Sequence, residues 1–321
     1  MLEEERIYDV IVLGAGPGGM TAGLYASRSN LDTMFLERGL PGGQLNNTAE
    51  VENYTGFKSI KGPDLAVSMF EGAQSFGGEY KYGDVKGIVD HGDYKEVLTG
   101  DKTYKTRAVI IATGAEHRKL GVSGEESYNG QGVSYCAVCD GAFFKGKKIV
   151  VVGGGDSAVE EGTYLTQFAA KVTIIHRRDE LRAQKVLQDR AFKNEKMDFL
   201  WDTVVEEIVG DGNKVTGVQI KNVKTGETDL FEADGVFIYV GLLPNSAPFS
   251  DLGILNEEGW VKTDEVMSTA IPGIYAIGDV RDTPLRQIAT AVGDGSLAGN
   301  DAFNYVEQLK ESMEKNKETA K

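Results

Sequence analysis

The sequence predicts an α/β protein made of two units of one plan, the second inserted into the first. Three observations carry the prediction. A strand, glycine turn, helix and strand run occurs twice, once in "YDVIVLGAGPGGMTAGLYASRS" with "DTMFLERG" and once in "KKIVVVGGGDSAVEEGTYLTQFAAKVTIIHRR". Each run is followed by short strand-like segments that close on a buried apolar strand. The length, 321 residues, exceeds one ordinary α/β core and suits two.

In chain order, residues 8–13 read as a buried strand, the glycine turn opens a helix, and a second strand ends at Glu37. "EYKYGDVKGIVD" and "YKEVLTGDKTYKTRAVIIATG" then give antiparallel strands leading to a buried strand over 108–112. The second copy repeats this plan and ends on a strand over 235–240. Loop-like segments at 114–120 and 241–249 bracket it as hinges. "IYAIGDV" and the helical "RQIATAVGDGSLAGNDAFNYVEQL" return to the first unit. The expected division is therefore 1–115 with 247–321, and 116–246. The charged tail "KESMEKNKETAK" is expected to fray.

Gly14, Gly16 and Gly19 fit G-x-G-x-x-G after a strand, and Glu37 stands at the end of the next strand. The first glycine allows the tight turn, the second lets backbone approach a pyrophosphate, and the third lets the helix pack closely. The helix start then favours the anion. Glu37 would bond ribose hydroxyls, which suits FAD or NAD. In the second copy Gly153, Gly155 and Ala158 give G-x-G-x-x-A, but arginines replace the acid. Arg177 and Arg178 stand where Glu37 stands, with Arg182 expected one helical turn later. Guanidinium groups suit a ribose 2′-phosphate, which selects NADPH; a solvated basic helix start is the bland alternative. Both units thus read as Rossmann-like dinucleotide-binding domains, FAD on the first and NADPH on the second.

The only two cysteines, Cys136 and Cys139, lie in "SYCAVCDGAFF". Zinc would need more ligands than this pair offers, since His91, His117 and His176 do not fall at finger spacing. An inert core pair fits poorly with Asp-Gly following, which reads as an exposed turn. A redox dithiol/disulfide remains. Asp140 either supplies and removes protons beside the sulfurs or forms the turn, and the two roles are compatible.

Net charge is −15, from 34 Lys and Arg against 49 Asp and Glu. That argues against nucleic acid and anionic membranes as partners. The start "MLEEERIYDV" lacks a signal-peptide core, and no apolar run reaches the roughly 18 residues of a membrane span. A cytoplasmic protein is expected.

Taken together, "GAGPGG", "GGQL", "VENYTGF", "ATGA", "CAVCDG", "GGGDSAVEE", "HRRDELRA" and "YAIGDV…RQ" resemble the low-molecular-weight, bacterial-type thioredoxin reductases, in order and over nearly the whole chain. The resemblance implies further FAD contacts at Gly43, Gln44, Asn53, Asp279, Arg286, Gln287 and Ile288. It also implies a homodimer with thioredoxin as protein substrate, and rotation of the inserted domain between half-reactions. His117 in "AEHRKL" departs from the pattern and receives no role. A reductase of another small thioredoxin-like protein is the alternative; a dithiol oxidase would not need the arginines, nor a nucleotide sensor the cysteines.

Overall fold

The computed structural model describes residues 6–48 and 51–319. Most of the acidic start and the last two residues of the tail lie outside the described residues. The chain divides into two units, Met1–Glu116 with Leu243–Lys321, and His117–Leu242.

The first unit begins with β1 (Ile7–Leu13), α1 (Pro17–Arg28), β2 (Thr33–Glu37), α2 (Gly62–Gln74) and β3 (Glu79–Tyr82). It continues through β4 (Val85–Asp90), β5 (Lys95–Thr99), β6 (Thr103–Ile111) and β7 (Ala115–His117), the last of which crosses into the second unit. β1 is an unbroken apolar run apart from Asp9, as expected for a parallel strand covered on both faces. The sheet runs β3-β2-β1-β6-β5-β4, with β1, β2, β3 and β6 parallel and β4–β6 an antiparallel meander. β6 is long enough for two partners on one edge. Its first half pairs with β5, and residues 109–111 pair with a late strand described below.

The second unit holds β8 (Val133–Ser134), α3 (Ala137–Asp140), β9 (Lys148–Gly153), α4 (Asp156–Leu165), β10 (Lys171–Ile175), α5 (Lys185–Phe192) and β11 (Met197–Leu200). After these come β12 (Thr203–Gly210), β13 (Val215–Asn222), β14 (Thr228–Glu232) and β15 (Gly235–Tyr239). A parallel sheet runs β11-β10-β9-β15-β8. The two copies differ in their hairpin strands. In the first unit these extend the main sheet; in the second, β12–β14 form a separate antiparallel sheet whose Val205, Ile208, Val215 and Val218 pack against β9 and β15.

The chain returns through β16 (Leu242–Pro244), β17 (Ile274–Ala276) and α6 (Ile288–Thr319). β17 is the partner of residues 109–111, and α6 packs along α1. The two crossings, read from sequence as loops, are strands: β7 and β16 pair as a ribbon. The return falls earlier than 246/247 because Asn245 and Ser246 are already bonded into the first unit. Asn245 N donates to Gly114 O (3.0 Å), and Ser246 Oγ to Gly259 O (2.6 Å). The tail also differs from expectation, since α6 stays helical to Thr319. It contains no breaker there, and Glu307–Lys310 and Glu311–Lys315 pair along the helix. No helix among the described residues is long and apolar enough to cross a membrane.

Candidate active site

In the first unit β1 turns directly into α1. Gly14 has φ +107°, and a Cβ there would lie 2.4 Å from Ala112 O. A Cβ on Gly19 would lie 2.0 Å from Gly14 O, so α1 can approach β1 only because Gly19 has none. Gly16 differs: a Cβ there would meet nothing within 4 Å, and no side chain caps the helix start it precedes. Open space before uncapped amides is what a pyrophosphate requires. Glu37 closes one side, accepting from Ala15 N and Gly39 N, each at 2.8 Å.

Of the other residues implied by the resemblance, Gly43 abuts this turn, and the rest lie elsewhere in the same unit. Gly42 N donates to Ala15 O (2.7 Å), and Gly43, at φ +54°, would place a Cβ 3.4 Å from Gly16 Cα. Gln44 Nε2 donates to Ala115 O (3.3 Å). Asn53 Nδ2 donates to Gln287 Oε1 (3.0 Å) just before α6, and Ile288 packs on Leu45 and Val51. Ala291, in the first turn of α6, lies against Gly18 and Gly278. Asp279 sits in the short 3-10 turn Gly278–Val280, where burial, reinforced by Asp294 and opposed by Arg286, pushes its carboxyl up to about 6. Arg286 stacks 3.9 Å from the Trp260 ring centre and donates to Asp279 O. Trp260 and Asp294 belong to this cluster and were not singled out from sequence, because no motif marks them.

The second turn, between β9 and α4, is built alike. Gly153 has φ +152°, and a Cβ there would lie 2.5 Å from Tyr239 O. Gly155 precedes α4 with no side-chain cap, and buried Ala158 takes the position of Gly19. The His176 ring packs beneath Gly154, where a Cβ would lie 2.3 Å from Nδ1. His176 is buried, its Nε2 has no hydrogen-bond partner among the described residues, and its pKa is pushed down by burial and by the charges of Arg182, Arg178 and Arg177. The three arginines therefore focus positive charge beside the turn; all are exposed. Arg182 does not follow on a helix as expected. Residues 177–184 form a loop, tied down by Arg182 N to Gly154 O (2.7 Å) and by both Gln184 donors to the Asp156 carboxylate, and α5 begins only at Lys185.

Cys136 and Cys139 form a disulfide with Cα atoms 5.3 Å apart. The segment is a helical turn rather than the exposed turn read from sequence. Cys136 caps α3, its Sγ accepting from Cys139 N (3.2 Å), and both cysteines are half-buried. Asp140 ends α3, and burial pushes its pKa up, opposed by a 2.6 Å hydrogen bond from Ser134 Oγ. The same Ser134 Oγ accepts from Cys136 N (3.1 Å), joining acid and cysteine through one hydroxyl. A carboxyl whose burial favours the protonated form, beside a disulfide, can deliver and recover protons as the sulfurs cycle. His117 stacks on Tyr135, the residue before Cys136, with ring centres 5.1 Å apart, and burial lowers its pKa.

Two glycine turns with opposite ribose chemistry and a disulfide in the second unit define a nucleotide-dependent disulfide oxidoreductase. Comparison with known proteins agrees. The family described as "Pyridine nucleotide-disulphide oxidoreductase" matches residues 8–295. The chain is 64% identical to the thioredoxin reductase of Listeria monocytogenes, covering 98% of each chain. It is 60% identical to that of Bacillus subtilis over 97% of this chain and 99% of the relative. The crystal structure of thioredoxin reductase from Streptococcus pyogenes superposes with a TM-score of 0.91 at 58% identity, covering 94% of this chain and 99% of that one. The chain belongs to the pyridine nucleotide-disulphide oxidoreductases, in the branch of low-molecular-weight, bacterial-type thioredoxin reductases.

Proposed function

We propose that the protein is an NADPH-dependent thioredoxin-disulfide reductase that sends electrons through FAD and the Cys136–Cys139 pair to oxidised thioredoxin. The observation that carries the reading is the Cys136–Cys139 disulfide beside Ser134 and half-buried Asp140, on the unit that also presents Arg177, Arg178 and Arg182. The net reaction is NADPH, a proton and the thioredoxin disulfide going to NADP⁺ and the thioredoxin dithiol.

Bound FAD would supply a two-electron relay between the nicotinamide of NADPH and the protein disulfide. Gly14, Gly16, Gly19, Glu37, Gly43, Gln44, Asn53, Asp279, Arg286, Gln287 and Ile288 would hold it in the first unit. NADPH would lie on Gly153, Gly155 and Ala158, its 2′-phosphate taken by Arg177, Arg178 and Arg182. The chain's own chemistry is at sulfur. Two electrons and one proton open the disulfide to a thiol and a thiolate, and Asp140 holds the second proton. The thiolate then attacks the thioredoxin disulfide to form a mixed disulfide, and the thioredoxin sulfur it displaces takes the proton held by Asp140. The second thiol attacks that bond, releasing reduced thioredoxin and restoring Cys136–Cys139.

The nicotinamide and the disulfide, both borne by the second unit, must each exchange electrons with one flavin. We therefore include rotation of that unit on its two crossings between half-reactions. Assignment to the cytoplasm and a homodimer complete the proposal; exposed Tyr25 and Leu297, on α1 and α6, are apolar positions a partner would cover. The test is thioredoxin-dependent oxidation of NADPH against NADH. NADPH is expected to be strongly preferred, and replacing Arg177 and Arg178 by Ala should raise its KM about tenfold or more with little change for NADH. Equal use of both nucleotides by the parent protein contradicts the reading.

A further inference from the structure

Ala137 N–H is the first backbone donor of α3 and has no acceptor within that helix. It donates instead to the Tyr239 hydroxyl at 2.7 Å, from the end of β15. A phenol oxygen that accepts in this way keeps its own proton to donate elsewhere. The Glu161 carboxyl of α4 faces that phenol and the Ala137 amide, and burial together with the Glu161 charge pushes the phenol's pKa up. Among the described residues Glu161 Oε2 is buried with no hydrogen-bond partner, an unfavourable state for a carboxyl oxygen. Neither residue belongs to the cofactor and catalytic sets above.

The tethers on the cysteine turn are of two kinds. Cys136 N to Ser134 Oγ and Asp140 N to Cys136 O are local, so they travel with the segment 134–140. Ala137 N to Tyr239 ties that segment to the sheet, and the Glu161 carboxyl of α4 faces that tie. Once the disulfide opens, the covalent restraint on the 5.3 Å Cα separation is gone. What then keeps the two sulfurs in reach of each other is the non-covalent framework of the turn.

We propose that Tyr239 and Glu161 are positioning residues for the redox pair, holding the Cys136–Ala137 peptide so that the reduced cysteines stay poised to close. The inference rests on the Cys136–Cys139 pair being the electron exit. It assigns these residues to the sulfur half of the reaction and not to nucleotide binding.

The test uses the FAD-loaded full chain and three variants, Tyr239→Phe, Glu161→Leu and Glu161→Gln. Two rates are read. One is flavin reoxidation by thioredoxin in stopped flow. The other is ring closure after the dithiol, reduced chemically and freed of reductant, is exposed to glutathione disulfide, followed by quenching and mass measurement. Tyr239→Phe and Glu161→Leu should slow both rates about fivefold to tenfold, as the loss of one hydrogen bond implies. Glu161→Gln keeps an acceptor for the phenol and should stay within about twofold of the parent. The KM for NADPH and the rate of flavin reduction should not move. Parent-like closure in Tyr239→Phe overturns the proposal, as does a Glu161→Gln variant as slow as Glu161→Leu. So does a fall in flavin reduction equal to the fall in closure, which marks a general structural role. A parent protein that fails to reduce thioredoxin strikes the function reading instead, and the glutathione assay still decides this one.

Discussion

Asp279 is half-buried beside Asp294 with Arg286 as its nearby cation, and desolvation pushes its pKa up to about 6 from an ordinary 3.8. A carboxyl raised in this way binds its proton more tightly in the folded protein than in the unfolded chain. Its contribution to stability is therefore complete below about pH 3.8 and is lost as pH rises through about 6. A rise of roughly two at ~1.4 kcal/mol each makes the full contribution about 3 kcal/mol. Urea unfolding of the apoprotein from about pH 4 to about pH 7 should show stability falling across that window, and Asp279→Asn should remove this part of the fall. An unchanged pH profile in the variant would show that the carboxyl is solvated. Residues of this kind divide by legibility. Cys136, Cys139 and Asp140 stand together in one hexapeptide, so their association needs no fold. Tyr239 reaches Ala137 across 102 positions of sequence, and only the sheet order β9-β15-β8 brings that strand end to α3. No local pattern carries that information.

Among the elements, the two glycine turns were legible because each glycine answers a steric demand that recurs in any tight strand-to-helix turn. Gly19 states the demand most strongly, since the atom a Cβ would strike is the backbone oxygen of Gly14 at 2.0 Å. Backbone cannot swing aside as a side chain can. Gly19→Ala should push α1 off β1, lower stability by ~1–3 kcal/mol and release FAD during purification. Melting temperature and the flavin-to-protein absorbance ratio read both effects, and a variant that retains full flavin would refute the close-packing account. Elements decided by tertiary bonds were less legible. "CAVCDG" contains a turn-forming Asp-Gly, yet Cys136 Sγ and Ser134 Oγ take up amides that let residues 137–140 become helical. "RRDELRA" has helix formers, yet its backbone is drawn to Gly154 and Asp156 and stays irregular. The crossings at β7 and β16 look like loops singly and become strands only by pairing with each other. The tail errs in the opposite direction: high charge suggested fraying, whereas ion pairs spaced three and four apart suit a helix.

For the whole molecule, the account assigns the flavin to one unit and both of its redox clients to the other. The sequence repeat made two nucleotide units visible, and the opposite ribose chemistry of Glu37 and the three arginines distinguished them. The central claim is that electrons enter at the flavin without the cysteines and leave only through them. Anaerobic stopped flow on the parent, Cys136→Ser and Cys139→Ser tests it most directly, with NADPH mixed first and oxidised thioredoxin second. The account predicts that NADPH bleaches the flavin in all three proteins, and that thioredoxin restores its colour rapidly in the parent alone. Restoration at near-parental rate in either serine variant would contradict it.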